Sequence, residues 1–559
     1  MVRASVLAAL VCVQVGCLKS PQSHLDRGNR LMAAGEYPGA EIEYRKSIQQ
    51  APRFAEAYYR LGLLDYQLQQ GTEALENLQR ARSLDPGNQR YSIDFASVAI
   101  EAFQVMPDKK YLYEQAVQEA DSLLQKDPAS FEGLRLRGDI AVIDRKYDAA
   151  LADFEKADRI RPNDPNVVLA TTQVLFALNK NDEGEALARR FLDVHREFAP
   201  MYDLMAEHYQ NQNRPKDADR LLESEVAARP RDAHAWLQLA KLYRATGRTE
   251  EMTATLQRIA GDRAAFPEGA LKVGDFYAGY AEWDKAVVEY RGGLDRAAGP
   301  AKLLYHRKLE TAFEALGKRQ EALAELHEIL ASNPQDASAR LNRAVLLRQS
   351  QDAKEQESAT QELKFLVSQY PNDAVVRYNL AMSYSSRGDQ VSAAREAKAS
   401  ADLQKDYVAP RLLLAGLANG RHDAAAALEA AQQVLAIDPN NTAARLVRAV
   451  AWIDSKSYRE AESDLRTIAN QQPDSANVQE EVQLVSAQLA AAQNNYAQAE
   501  ALYRRVYRPG SRDLRPLEGL IRLYNREHRP EQAQKLLEDA AKRDPQSAAL
   551  YSALGGMYR

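Results

Sequence analysis

Residues 131–162 read FEGLRLRGDIAVIDRKYDAALADFEKADRIRP, and this stretch decides the fold. Its apolar and small residues fall at helical spacing in two blocks, with a polar turn at 144–146 between them. Gly138 and Ala150 lack bulk where two such helices would cross, so the helix axes can approach closely. Pro162 ends the second block because proline cannot donate a helical hydrogen bond. The stretch therefore predicts a helical hairpin.

The hairpin pattern repeats along the chain at a fixed period. Three pairs of prolines that close second helices are each 34 residues apart: Pro52 and Pro86, Pro128 and Pro162, and Pro439 and Pro473. A small residue of the second helix recurs as Ala40, Ala74, Ala116, Ala150, Ala218, Ala286, Ala322, Ala359, Ala393, Ala427, Ala461, Ala499 and Ala533. Its partner in the first helix is Gly28, Gly62, Gly138, Ala240, Gly274, Ala344, Ala381 or Ala449.

This period and these small residues resemble those of the tetratricopeptide repeat (TPR) family. The resemblance implies an all-α fold, a TPR α-solenoid of roughly fifteen helical hairpins wound into a right-handed superhelix. It covers residues 24–559 as one continuous solenoid. Residues 548–559 read as the first helix of a further repeat, with Tyr551, Leu554 and Tyr558 uncovered. Because a solenoid normally closes with a polar capping helix, the expectation is a chain truncated at its C-terminal end, and the alternative is a last helix that docks on something else.

Some proline spacings exceed a whole number of periods. Pro86 and Pro128 are 42 residues apart, and the excess is expected around 104–110, between two helices. Such an insertion maps to a loop, either a neutral elongation or part of a binding face. Smaller excesses are expected near 351–354 and within a long helix at 475–493.

Composition narrows the class of protein. The 559 residues are 45% apolar and 27% charged, with a formal net charge of -5, as in an ordinary folded chain. This net negative charge argues against a nucleic-acid partner. Cys12 and Cys17 are the only cysteines, so the repeats can hold neither a disulfide framework nor a cysteine metal site.

The N-terminal segment predicts a membrane anchor. Residues 1–16 carry Arg3 and then an apolar run that suits a secretory signal but is too short for a permanent transmembrane helix. The ending, with Gly16 before Cys17, resembles a bacterial lipobox, in which the cysteine is lipidated and becomes the first residue of the mature chain. Residues 17–23 would then be the lipidated cysteine and its tether. The alternative is a cytoplasmic protein with an uncleaved apolar start.

The sequence gives no sign of an enzyme. It contains no Walker-type phosphate loop, GxSxG, HExxH or EF-hand motif. The eight histidines are far apart and have no ligand spacing, so a structural or solvent-facing role is expected for them rather than metal binding. No cofactor and no metal are therefore expected.

A binding surface is the remaining candidate for function. In the TPR family the inner wall is lined mainly by first-helix positions that point away from the second helix. Transferred to this chain, the resemblance implies a partner-binding groove of Tyr59, Arg60, Tyr66, Arg135, Asp139, Lys241, Arg244, Tyr378 and Asn379, with Leu63, Val142, Leu237 and Met382 beside them. Such residues suit extended peptides or a partner helix. They can equally be only the solvent side of amphipathic helices.

One family function can be tested on these positions. The TPR clamp for chaperone C-termini needs lysines with asparagines at set inner positions. Asn342 and Asn379 occupy such positions in neighbouring repeats, but the lysines are missing, so a chaperone adaptor is not expected.

The leading hypothesis is a protein-interaction scaffold, a bacterial envelope lipoprotein facing the periplasm or exterior. Its layout is similar to that of long TPR lipoproteins that accompany exopolysaccharide and exosortase-type systems. Two alternatives remain open. The repeats can be the recognition arm of an enzyme, such as a glycosyltransferase, that continues beyond Arg559. They can also form a cytoplasmic TPR regulator.

Overall fold

The computed structural model describes residues 20–472, 475–511, 513–545 and 547–557. Within these residues every regular element is an α-helix, and there are 31 of them. The chain divides into two compact units whose boundary lies between Phe276 and Tyr277, inside α15. Unit 1 holds α1–α14 and most of α15, and unit 2 holds α16–α31.

The helices of unit 1 are α1 Pro21–Ala33, α2 Tyr37–Gln50, α3 Ala55–Gln67, α4 Gly71–Leu84, α5 Gln89–Val105, α6 Lys110–Lys126, α7 Phe131–Ile143, α8 Tyr147–Ile160, α9 Pro165–Ala177, α10 Asn181–Val194, α11 Ala199–Asn211, α12 Pro215–Ala228, α13 Ala233–Ala245, α14 Thr249–Gly261 and α15 Gly269–Gly279.

The helices of unit 2 are α16 Trp283–Leu294, α17 Pro300–Ala315, α18 Arg319–Ser332, α19 Ala337–Arg348, α20 Ala353–Gln369, α21 Ala374–Ser386, α22 Gln390–Leu403, α23 Val408–Gly420, α24 Ala424–Ile437, α25 Thr442–Asp454, α26 Tyr458–Gln471, α27 Ala476–Ala492, α28 Tyr496–Val506, α29 Arg515–Arg526, α30 Pro530–Arg543 and α31 Ala548–Met557.

Element lengths explain the period. In the first repeat α1 has 13 residues and α2 has 14, and residues 34–36 and 51–54 form the two connections. Odd-numbered helices are the first helices of their hairpins and even-numbered ones the second; within α1–α14 and within α16–α31 each helix packs against its neighbours in sequence. The predicted all-α solenoid of helical hairpins is therefore confirmed as the fold of this chain.

The recurring small residues form the contact between the two helices of each hairpin. All thirteen second-helix alanines predicted for this contact are fully buried. In the hairpin of α7 and α8, a Cβ added to Gly138 would lie 2.4 Å from Phe154 Cε1. A Cβ added to Gly28 would likewise lie 2.5 Å from Tyr44 Cε1 of the second helix. The first-helix glycines thus make room for a large side chain of the second helix.

The three-residue turns within hairpins share one backbone feature. The middle residue has a positive φ, whether it is a glycine such as Gly35 (75°) or a larger residue such as Arg145 (58°) or Lys456 (62°). This left-handed conformation costs a non-glycine residue about 1–2 kcal/mol. The turn after α5 and the turn after α19 have four residues and no residue with positive φ.

The largest insertion is not a loop. The connection between α5 and α6 has four residues, 106–109, and each of these helices has 17 residues. The expected loop at 104–110 is therefore wrong, because the extra residues lengthen both helices. The excess expected near 351–354 lies in α20, which begins at Ala353 and also has 17 residues. The long helix expected at 475–493 is confirmed as α27.

An ion pair inside the hairpin recurs in both units. In unit 1, Arg137 of α7 donates to both carboxylate oxygens of Asp153 of α8, at 2.6 and 2.7 Å. In unit 2, Arg448 of α25 does the same to Asp464 of α26, at 2.8 and 2.6 Å. Both carboxylates are buried, so these bidentate pairs hold the two helices of a hairpin together.

The two ends of the chain refine three expectations. The signal peptide predicted at 1–16 and the lipidation site Cys17 lie outside the described residues. Helix α1 begins at Pro21, so residues 21–23, assigned to the tether, are helical instead. Near the other end, Leu554 is buried against Leu517 and Leu537, so the prediction that it is uncovered is wrong, whereas Tyr551 is exposed. Tyr558 lies outside the described residues.

Candidate partner-binding surfaces

Five of the predicted groove residues lie on first helices α3 and α7, with α5 between them. We call the side of these three helices that faces away from the second helices the α3–α5–α7 face. Tyr66 is 42% exposed on this face, and its hydroxyl donates to Glu101 Oε2 of α5 at 2.7 Å. Burial, followed by the Glu101 carboxylate, raises the pKa of Tyr66 to about 12.

Tyr59 is a correction to the predicted groove, because its side chain is fully buried. Its ring packs on Tyr91, with centroids 4.8 Å apart, and its hydroxyl donates to Asp94 Oδ2 of α5 at 2.5 Å. Burial and this bond raise the pKa of Tyr59. Tyr59 therefore holds α5 to α3. The neighbouring Arg60 is partly buried and donates to Glu56 Oε1 at 2.7 Å.

Arg135 and Asp139 form an ion pair on α7. Arg135 donates to Asp139 Oδ2 at 3.0 Å and to Ser97 Oγ of α5 at 2.7 Å. Burial raises the pKa of Asp139 to about 6, against the lowering effect of Arg135 and with a further rise from Glu101. Across the α3–α5–α7 face, polar side chains are thus bonded to one another.

The bonds that link α3 to α5 follow a sequence rule. Tyr59 and Asp94, Tyr66 and Glu101, and Glu56 and Tyr91 are each 35 residues apart. This separation is one repeat plus one residue, so pairing each first helix with the next at that offset would have found them. Inspecting one repeat at a time misses them.

Lys241 and Arg244, also predicted for the groove, lie on α13 of unit 1. Lys241 is exposed and Arg244 partly buried. Beside them His234 Nε2 lies 3.0 Å from Asp203 Oδ1 of α11, and this bond raises the pKa of His234. Gln238 also donates to Asp203. Here too the offset from Asp203 to Gln238 is 35 residues.

Tyr378 and Asn379 lie on α21 of unit 2, and both are partly buried. The Tyr378 ring meets the Tyr407 ring edge to face, with centroids 5.4 Å apart. Asn379 Nδ2 donates to the Val375 carbonyl at 2.9 Å. Asn342 Nδ2 of α19 donates to Glu310 Oε1 at 3.0 Å. The two asparagines considered for a chaperone clamp are therefore engaged within the fold.

Sequence reasoning missed Arg348, at the end of α19. Its side chain is partly buried, and its Nε is buried without a hydrogen-bond partner. Burial lowers the pKa of its guanidinium, and the charge effect that opposes this comes from Tyr378. We call the side of α19 and α21 that carries Arg348 and Tyr378, together with Tyr407 at the N-cap of α23, the α19–α21–α23 face.

Within residues 20–472, 475–511, 513–545 and 547–557, no three histidine, cysteine, aspartate or glutamate side chains are grouped so that they could hold a metal ion. No helix in the same residues is long and apolar enough to cross a bilayer.

Comparisons with known proteins identify the family. Family models described as tetratricopeptide repeat match residues 25–89, 112–165, 204–270 and 311–374 and residues 416–489. Together these ranges cover more than half of the chain, so the protein belongs to the tetratricopeptide repeat family. Membership supports a protein-interaction role. A search of curated proteins found no significant match.

Three solved structures illustrate the similarity. A tetratricopeptide repeat protein from Parabacteroides merdae has 13% identity and a TM-score of 0.39, with 46% of this chain and 99% of that chain covered. Naa15/Naa10 bound to HypK-THB has 13% identity and a TM-score of 0.33, with 96% and 91% covered. The APC/C hetero-tetramer Cut9-Hcn1 has 12% identity and a TM-score of 0.37, with 97% of each chain covered.

Proposed function

We propose that this protein is a scaffold that binds protein partners, as extended peptides or helices, along its first-helix faces. One observation carries the proposal. Aromatic and charged side chains of successive first helices share one face in each unit, and Tyr66 on α3 and Tyr378 on α21 both keep accessible surface. Aromatic surface supplies contact area and charges supply orientation, which is how such surfaces recognise partners.

We further propose that the scaffold is anchored in the bacterial envelope by lipid on Cys17 and gathers partners for a secretion or exopolysaccharide process. The lipobox-like end of residues 1–17 and the lack of cysteines after Cys17 support this part of the proposal. A lipid anchor would hold the repeats at a membrane surface, where weak contacts with several partners add up to strong attachment.

The test of the anchor uses both cysteines. Cells that express wild type, Cys17→Ser or the matched control Cys12→Ser are labelled with a fatty acid and fractionated. The proposal expects labelled, membrane-associated wild type and Cys12→Ser, and an unlabelled Cys17→Ser. An unlabelled, soluble wild-type chain would reject the anchor and favour a cytoplasmic regulator.

The test of scaffolding is crosslinking in cells followed by purification of the protein. Recovery of the same defined set of proteins from independent cultures, reduced when Tyr66 and Tyr378 are both changed to alanine, supports the proposal. Recovery of no partner from either wild type or the variant would overturn it.

A further inference from the structure

The three arginines of α19 differ in their partners: two lie at a carboxylate and one does not. Arg343 donates to both oxygens of Glu362 in α20, at 2.9 and 2.5 Å, and Arg340 lies 3.6 Å from the same carboxylate. Arg348 has no carboxylate partner in the described part of the chain. Its Nε is buried without a hydrogen bond, and no hydrogen bond or ion pair with a described residue holds its two Nη atoms.

A role for Arg348 in closing its own helix does not explain this arrangement. Arg348 is the last residue of α19, where a cation can bind the free carbonyl groups. That place is taken by another arginine, because Arg319 Nε donates to the Leu346 carbonyl at 3.0 Å. Arg319 also pairs with Glu355. Among the described residues, the guanidinium of Arg348 therefore has no bond of its own.

Burial of Arg348 Nε without a partner lowers the stability of the free protein, since burial removes hydration that no partner replaces. The cost is recovered when a carboxylate binds, because the guanidinium offers parallel N–H groups that match the two oxygens of a carboxylate. Tyr378 lies close enough to act electrostatically on Arg348, and its ring meets that of Tyr407 edge to face, so the two rings offer apolar surface to a ligand. An acidic peptide segment is the ligand that fits both features.

We infer that Arg348 is the anchor of a site on the α19–α21–α23 face that binds an aspartate or glutamate side chain of an extended partner segment, with the segment lying against Tyr378 and Tyr407. The site rests on the proposed scaffold function and specifies the chemistry of its partner. The first helices α19, α21 and α23 contact one another in succession, so they give an extended segment that holds its side-chain carboxylate at Arg348 a continuous face to lie along.

The test uses the full chain and a defined probe. The probe is a fluorescein-labelled hexaglutamate peptide with an amidated C-terminus, so that only side-chain carboxylates are present, and binding is measured by fluorescence anisotropy at low salt. The second probe is hexaglutamine with a free C-terminus. We expect the first to bind and the second to bind at least about tenfold more weakly, because only the first offers side-chain carboxylates. Preference for the second probe would overturn the inference in favour of terminal-carboxylate recognition.

Variants then assign the binding to Arg348. Arg348→Gln is expected to weaken hexaglutamate binding about tenfold or more, since a charge-assisted bond is lost. Arg466→Gln is the matched control, because it makes the same change of charge at an exposed arginine of α26 that pairs with Glu462 of its own helix. Equal loss in both variants, or no loss in Arg348→Gln, would overturn the inference.

A second measurement separates binding from folding. Arg348→Gln should melt at or above the temperature of the wild type, because it removes a charge that has no partner in the free protein. A clearly lower melting temperature would show that Arg348 stabilises the repeat, and would overturn its assignment as a ligand anchor.

The site and the proposed scaffold can fail separately. If crosslinking recovers the same partners from wild type and Arg348→Gln, the scaffold stands and the site is wrong. If hexaglutamate binding depends on Arg348 while no partner is recovered from cells, the site stands and the scaffold is wrong.

Discussion

The α3–α5–α7 face of unit 1 and the α19–α21–α23 face of unit 2 occupy equivalent places in their repeats. On the first, Tyr66 is bonded to Glu101 and Arg135 to Asp139. On the second, Arg348 has a buried Nε without a partner. The difference shows that charge on a first helix is not by itself evidence of a binding site. What matters is whether other side chains of the fold already satisfy that charge.

The comparison requires that the hairpins of both units are built on the same contact between a small residue and its partner helix. Placing a large side chain at that contact is the test with the largest expected effect. Ala150→Trp in α8 and Ala427→Trp in α24 each place a large ring at a fully buried position. We expect each to lower the free energy of unfolding of its unit by about 1–3 kcal/mol or more, measured by thermal melting with hydrogen exchange.

The controls for overpacking are the exposed neighbours in the same helices, Ala149→Trp and Ala425→Trp, which should change stability by about 0.5 kcal/mol or less. If a buried variant melts like its control, the assigned contact between the two helices of that hairpin is wrong.

Removing one arginine from each face tests the difference directly. Arg135→Leu leaves Asp139 and Ser97 without their donor, so we expect a loss of about 1–3 kcal/mol in the stability of α7, measured by hydrogen exchange. Arg348→Leu removes no bond to a described residue and should cost less than about 0.5 kcal/mol or stabilise α19. If Arg135→Leu and Arg348→Leu lower stability equally, the two arginines do not differ in how far the fold already bonds them, and the distinction between the two faces is wrong.

The sequence was sufficient to predict the helical hairpins, but not which side chains of the first helices are buried or already bonded within the fold. The small residues at a fixed period, such as Ala150, predict the hairpins because they depend only on spacing within one repeat. The burial of Tyr59 depends on Asp94 in the following repeat, and the isolation of Arg348 depends on which carboxylates the neighbouring helices bring near it. These properties come from the register between repeats, which a single repeat does not contain.

The titration of Asp139 provides a smaller test of how tightly the α3–α5–α7 face is packed. Its pKa in the folded chain is about 6, above the ordinary value of about 4. The folded state therefore binds more protons than the unfolded state between these values, and stability is lost as pH rises through about 6. Asp139→Asn does not titrate, so its melting temperature relative to wild type should increase from pH 4 to pH 7.

The same pH series on Arg466→Gln, remote from Asp139 in sequence and located in unit 2, gives the background. A difference between Asp139→Asn and wild type that stays constant with pH would mean that the carboxyl group is well hydrated, and that the face is more open than the bonds of Arg135 indicate.

The smallest effect is expected at the turns, where the two units share the same backbone conformation. Arg145 after α7 and Lys456 after α25 are exposed and have φ values of 58° and 62°, so glycine at either position relieves the cost of a left-handed side-chain-bearing residue. Glycine also gives the unfolded chain more freedom, which offsets part of the gain. Arg145→Gly and Lys456→Gly should therefore each stabilise their hairpins by less than about 1 kcal/mol in thermal melting.

The reverse change, Gly317→Ala at φ 67°, should destabilise its turn. If Arg145→Gly and Lys456→Gly increase hairpin stability by similar amounts, the turns of the two units have the same backbone energetics. The difference between the two faces then comes from their side chains alone.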